Sequence, residues 1–169
     1  ETTIDAMGGP FSIVAYGADR HQLAAATNAA AEEIRRVDQL ISNYIPSSEW
    51  STVNRDAGKS PVRLSRESFD LIRACLRYSE QSEGSFDITV GPLMKVWGFY
   101  KGSGRLPHRS EVRVALSRIG YRKVRLDEQS QTVRFEREGM DIDPGGIGKG
   151  YAVDRAMTIL REYGIDTAL

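Results

Sequence analysis

The stretch from Met140 to Asp154, MDIDPGGIGKGYAVD, constrains the fold more than any other part of the chain. Met140 and Ile142 alternate as in a strand, four glycines (Gly145, Gly146, Gly148 and Gly150) surround Lys149, and a helical pattern follows at once. Such a helix start presents unpaired N–H groups and a positive dipole end, and glycine lets that backbone approach an anion closely. The same glycines also suit a plain helix-entry turn that only needs close packing. Two familiar phosphate fingerprints fail. The Walker pattern needs Ser or Thr after its Gly-Lys pair, where Gly150 stands, and G-x-G-x-x-G needs a glycine where Tyr151 or Val153 stands. Lys149 in the first helical turn opposes the dipole, so either an anion compensates it or the side chain is simply solvated.

The remaining pattern is mixed. FSIVAY alternates Phe11, Ile13 and Ala15 as a half-buried strand. Ala30, Ile34, Val37 and Ile41 recur at helical spacing and predict a long helix from about Gln22 to Asn43. NYIPSSEWSTVNRDAGKS reads as a polar loop before a short strand at PVRL, with Glu49 and Asn54 tying the loop together. Ser65 caps a helix bearing Phe69, Ile72 and Leu76, and Ser110 is expected to cap another that stops at Gly120. KVRLDEQSQTVRFER predicts a hairpin, Val124 and Leu126 opposing Val133 and Phe135. A last helix carries Ala152, Ala156, Ile159, Leu160 and Tyr163 up to Gly164, and IDTAL begins a strand.

Charge excludes whole classes of partner. Lys and Arg number 23 and Asp and Glu 23, so no basic field draws nucleic acid or an anionic membrane. No stretch approaches the roughly 18 apolar residues of a membrane span. The single cysteine, Cys75, lies in an apolar helical pattern and reads as a buried thiol. Because the chain opens at Glu1 and ends as a strand begins, it is expected to be a processed or trimmed piece of a larger fold.

Four blocks, MGGPFSIVAYG, ISNYIPSSEWSTVN, SEGSFDITVGPLMKVWGF and DIDPGGIGKGYAVD, occur in an order and spacing that resemble the ApbE family of flavin transferases, FAD:protein FMN transferases once described as thiamine biosynthesis lipoproteins. The resemblance implies an α+β fold with a mixed or antiparallel sheet and packed helices, ApbE-like (T-fold-like), of which residues 1–169 form the N-terminal part of one domain, incomplete at the C-terminus. It implies a magnesium-dependent enzyme that moves FMN from FAD onto a threonine hydroxyl of a target protein, releasing AMP. The alternatives are an FAD pyrophosphatase and, should the chain end naturally at Leu169, a non-catalytic flavin-binding module. Further family motifs, a GGD strand, a histidine-bearing flavin segment and an AD-x-x-x-T metal segment, are expected beyond Leu169, and neither His21 nor His108 has a matching context. A periplasmic or envelope-associated location, with a lipid anchor on a precursor, belongs to the same expectation.

Set on single residues, the resemblance implies FAD contacts by Met7, Tyr44, Ser85, Phe86, Asp87, Asp143 and Lys149, and a magnesium ligand in the carbonyl of Gly146. Chemically, the Met7 thioether suits a flat ring or the core, and Tyr44 suits ring stacking or anchoring of its loop. Asp87 suits ribose hydroxyls or a turn cap. Asp143 and Lys149 are expected to bracket the pyrophosphate. Trp97, Gly98 and Phe99 are expected to form a packed aromatic corner.

Overall fold

The computed structural model of the chain describes residues 1–102 and 104–169. In chain order its elements are β1 (Thr2–Ala6), β2 (Gly9–Ile13), β3 (Ala15–Tyr16), α1 (Arg20–Ile41), α2 (Glu49–Asp56), β4 (Val62–Arg63) and α3 (Arg66–Gln81). They continue with α4 (Gly91–Val96), α5 (Arg109–Ser117), β5 (Val124–Asp127), β6 (Thr132–Phe135), α6 (Gly148–Glu162) and β7 (Thr167–Ala168). Every strand pairing is antiparallel, in the orders β1-β2, β3-β7 and β4-β6-β5, and the fold is α+β as expected. Two compact units result: Glu1–Leu40 with Ile147–Leu169, and Ile41–Gly146. No helix among the described residues is long and apolar enough to cross a membrane.

In the first unit, β1 and β2 form a hairpin that pairs Thr2 with Ile13 and Ala6 with Gly9. Its two turn residues, Met7 (φ +50°) and Gly8 (φ +78°), both lie at positive φ, the conformation a two-residue hairpin with native twist requires. A strand thus precedes Gly8-Gly9-Pro10, and Met7 is in the turn itself. FSIVAY is broken at Val14, leaving Ile13 buried and Phe11 and Ala15 half-buried. Val14 and Leu169 exchange backbone hydrogen bonds of 2.8 and 2.7 Å beside the β3–β7 pair, so IDTAL does form a strand. Helix α1 starts two residues earlier than its apolar period suggests, because the Asp19 carboxylate accepts from His21 N at 2.8 Å. It buries Ala26, Ala30, Ala31, Ile34 and Val37 along one stripe. Helix α6 buries Ala152, Ala156 and Leu160 and stops before Gly164 at φ +73°. Glu33 of α1 accepts from Arg155 Nε of α6 at 2.8 Å and from Arg36 Nε at 2.7 Å, clasping the two helices.

In the second unit, the expected β5–β6 hairpin forms, its register setting Val124 opposite Phe135 and Leu126 opposite Val133. Helix α3 is capped by Ser65, whose side chain accepts from Ser68 N, and buries Phe69, Ile72 and Cys75; Leu76 is only half-buried. Fully burying side chains such as Phe69 and Ile72 contributes about 1.5–3 kcal/mol each. The stretch read as a polar loop contains α2, capped by Ser48. Trp50, Val53 and Ala57, at i, i+3 and i+7, are all fully buried, and Trp50 Nε1 donates to Ser68 Oγ at 3.1 Å. Glu49 does act as a tie, accepting from Ser65 N and Oγ at 3.0 Å each. Helix α5 starts earlier than Ser110: Glu111 accepts from His108 N at 2.8 Å, which fixes the helix start at Arg109.

Candidate functional site

Met140–Asp143, in the second unit, is not the half-buried strand that alternation predicts. All four residues are buried, carboxylates included, and none lies in a strand ladder. Buried backbone groups need partners, and here side chains provide them. Asn54 on α2 accepts from Ile142 N at 2.7 Å and donates to Ile142 O at 3.0 Å, so its amide does what a neighbouring strand would do. Asn43 donates to the same carbonyl at 2.9 Å and accepts from Asn54 Nδ2 at 3.1 Å. Asp143 N reaches Ile88 O at 2.7 Å. At Gly91, a Cβ would lie 2.5 Å from Asp141 Cβ and 2.8 Å from its carbonyl oxygen, so the start of α4 approaches the segment as only glycine permits.

Two carboxylates flank Ile142. Asp141 Oδ2 pairs with Lys95 Nζ at 2.7 Å; burial raises the Asp141 pKa above the ordinary aspartate value and the ammonium opposes that rise. Asp143 Oδ1 accepts from Gly145 N at 2.7 Å, shaping the glycine turn, while its Oδ2 accepts a short hydrogen bond from Tyr100 OH. Tyr100 OH in turn accepts from Asn43 Nδ2 at 3.0 Å. Burial first, and the Asp143 carboxylate next, push the Tyr100 pKa upward, so the phenol stays a donor at physiological pH. The Tyr44 ring, 65% exposed, meets Tyr100 edge to face with centroids 5.7 Å apart.

These groups line a cleft of about 500 Å³ that also includes Ser51, Asn54, Arg55, Lys95 and Asp141. Its size, and its mix of an aromatic wall with a few convergent polar groups, are those of a small-molecule site. Of the residues singled out from sequence, Tyr44 lines it and Asp143 is bonded to its wall. Asn43, Lys95, Tyr100 and Asp141 were not singled out. The only sequence signal for Asn43 is its place beside Tyr44, and for Asp141 its place inside the glycine motif.

A second group gathers at Gly84–Gly91. Glu83 (φ +52°) and Gly84 (φ +86°) make the turn, after which Ser85 is exposed and Phe86 half-buried. Asp87 caps the short turn Ile88–Val90: Oδ1 accepts from Thr89 N at 2.8 Å and Thr89 Oγ1 at 2.6 Å, and Oδ2 from Tyr121 N at 2.9 Å. Both of its oxygens are therefore engaged by the protein. Phe86 lies against the glycine turn, since a Cβ on Gly146 would be 3.0 Å from Phe86 Cε2. Trp97 and Phe99 are not packed away as expected: they are 38% and 57% exposed.

In the first unit, Met7 is half-buried, and its N–H donates to Asp38 Oδ2 at 3.0 Å. Lys149 is exposed in the first turn of α6, which has no side-chain cap and no acidic residue there. Its ammonium points along the start of β2, 3.5 Å from where a Cβ on Gly9 would stand, and among the described residues no carboxylate pairs with it. No group of three or more His, Cys, Asp or Glu among the described residues could hold a metal ion.

Known proteins share this architecture. A FAD:protein FMN transferase of Klebsiella pneumoniae (strain 342) is 32% identical over 165 residues, covering 96% of this chain and 50% of that protein. The protein of the same name from Treponema pallidum (strain Nichols) is 28% identical over 86% of this chain and 43% of its own length. The crystal structure of the ApbE protein from Thermotoga maritima superposes with a TM-score of 0.86 at 29% identity, covering 99% of this chain and 53% of that one. The chain thus spans about half the length of the curated relatives it matches. The ApbE family pattern runs from residue 7 to residue 169, nearly the whole of the sequence, and the chain belongs to the ApbE family.

Proposed function

We propose that this chain binds FAD as part of an enzyme that transfers FMN to a threonine hydroxyl of a target protein and releases AMP. The observation that carries the reading is the Tyr44–Tyr100 pair at the cleft, an exposed aromatic edge whose second ring is anchored to Asp143 beside the glycine turn. Aromatic faces take flat heterocycles, and the turn with its glycines leaves backbone open to phosphate oxygens. Lys149, a cation that no carboxylate among the described residues pairs, stands at an uncapped helix start and is what a diphosphate would neutralise. The names of the Klebsiella and Treponema relatives support transfer of FMN over simple hydrolysis.

In the transfer, the threonine oxygen forms a bond to the FMN phosphorus, the anhydride bond to AMP breaks, and the hydroxyl proton leaves to solvent or a base. The role of this chain is to position FAD and offset charge, the main needs of phosphoryl transfer. Magnesium belongs to the proposal, with the carbonyl of Gly146, an exposed residue, as the ligand offered here. The described residues do not by themselves make its near-octahedral oxygen set, since both Asp143 oxygens are engaged, and no step is routed through it. A bacterial envelope location completes the reading, tested by fractionation of the source cells.

Lys149→Ala tests it directly. A charge-assisted hydrogen bond to phosphate is worth roughly 1.5–3 kcal/mol, so in the full-length protein the Kd for FAD, read from flavin fluorescence, should rise about ten- to a hundredfold. An unchanged Kd removes Lys149 from the site. Mass spectrometry of a threonine-bearing acceptor then separates flavinylation from release of free FMN and AMP.

A further inference from the structure

Behind the ion pair of Lys95 and Asp141 lies a second cavity, of about 290 Å³, and we infer that it is a binding site for a single carboxylate on a short apolar stem. Its polar lining is Asn54, Lys95, Arg118 and Asp141, and its walls include Pro92, Val96, Val114 and Ala115. Lys95, Asp141 and Asn54 also line the first cleft, so the two spaces are neighbours across one salt bridge. The inference stands on these residues alone and does not depend on the flavin reading.

Three observations converge on an anion. Arg118 lies over the backbone of Gly139, where φ is +79° and a Cβ would be 2.9 Å from Arg118 Nε, which places the guanidinium at the wall of this cavity. Arg118 is exposed, its charge acts on Asp141, and among the described residues it makes no hydrogen bond or close ion pair, leaving a planar fork that matches a carboxylate. Lys95 contributes a half-exposed ammonium with one partner.

Charge then selects the ligand. Two cations and the Asp141 carboxylate leave one positive charge, which a monoanion balances; a phosphate dianion would overshoot and face Asp141. The apolar walls suit one or two methylene groups, and the cavity is far smaller than a dinucleotide needs. Both a free short-chain carboxylate and an Asp or Glu side chain of a protein substrate have this chemistry.

The test is a titration of the ¹⁵N-labelled protein followed by NMR at the Gly139 amide and the Arg118 Nε–H. The probes are propionate, the peptide acetyl-Ala-Asp-Ala-amide and neutral propionamide. Saturable shifts are expected with a carboxylate and not with propionamide. Arg118→Gln should weaken them tenfold or more, and Val114→Glu, which brings a carboxylate of the protein's own into the cavity from the exposed face of α5, should abolish them. Saturation by propionate alone assigns a small carboxylate, saturation by the peptide alone assigns an acidic side chain, and saturation by both shows that the carboxylate suffices. Absence of saturable shifts with both carboxylates, equal shifts with propionamide, or undiminished shifts in folded Arg118→Gln overturns the site.

Discussion

Replacing Asn54 by alanine is expected to cost about 2–3 kcal/mol, because one side-chain amide substitutes for a missing strand neighbour. The variant removes the acceptor at 2.7 Å from Ile142 N, the donor at 3.0 Å to Ile142 O and the donor at 3.1 Å to Asn43. Ile142 O keeps Asn43 Nδ2 at 2.9 Å, so the carbonyl is not orphaned. The N–H of fully buried Ile142 is, and an unsatisfied buried donor costs about 1–3 kcal/mol. The other two losses are softened because Asn54 lines a cleft that water reaches. For a chain of this size the melting temperature should fall by about 4–12 °C. Urea denaturation followed by circular dichroism gives the free energy, and amide exchange at Ile142 reports the bond itself. Asn54→Asp keeps the acceptor and should keep the Ile142 amide protected while losing both donors. If Asn54→Ala lies within about 0.5 kcal/mol of the parent and the Ile142 amide stays protected, the strand-substitute argument is wrong.

Three other outcomes follow from the structure. Arg36 and then Arg155 hold the Glu33 carboxyl down at about 2, so its stabilisation is fully present above the ordinary value of 4.5 and is lost as pH falls towards 2. Thermal melts of Glu33→Gln should therefore lie below the parent at pH 6 and converge with it near pH 2; a constant gap would refute the linkage. Gly91→Ala should destabilise by about 1–3 kcal/mol, since its methyl group meets Asp141 Cβ and the Asp141 carbonyl, neither of which can swing away, and a neutral result in urea denaturation would show that α4 can shift. Cys75 is fully buried and its thiol is pushed up to about 12 by burial, so iodoacetamide at pH 8 should label it only in denaturant, as mass spectrometry would show.

Much of this molecule can be read along the chain. Apolar spacing locates α1, α3 and α6 and the β5–β6 hairpin, and Ser65 and Gly164 mark helix ends, because each of these depends on residues a few places apart. The four motif blocks carry the family, and Tyr44 and Asp143 stand at or beside the cleft. Other features escape any linear pattern. Asn54 meets Ile142 across 88 positions, Asn43 meets Tyr100 across 57, and Asp141 finds Lys95 on another element. The alternation of Met140 and Ile142 reads as a strand since period says nothing of whether a partner strand exists; here an asparagine took that place and the intervening carboxylates were buried with it. Polar pairing over such separations is decided only when packing brings the groups together and removes water, at which point an unpaired donor becomes too costly to leave.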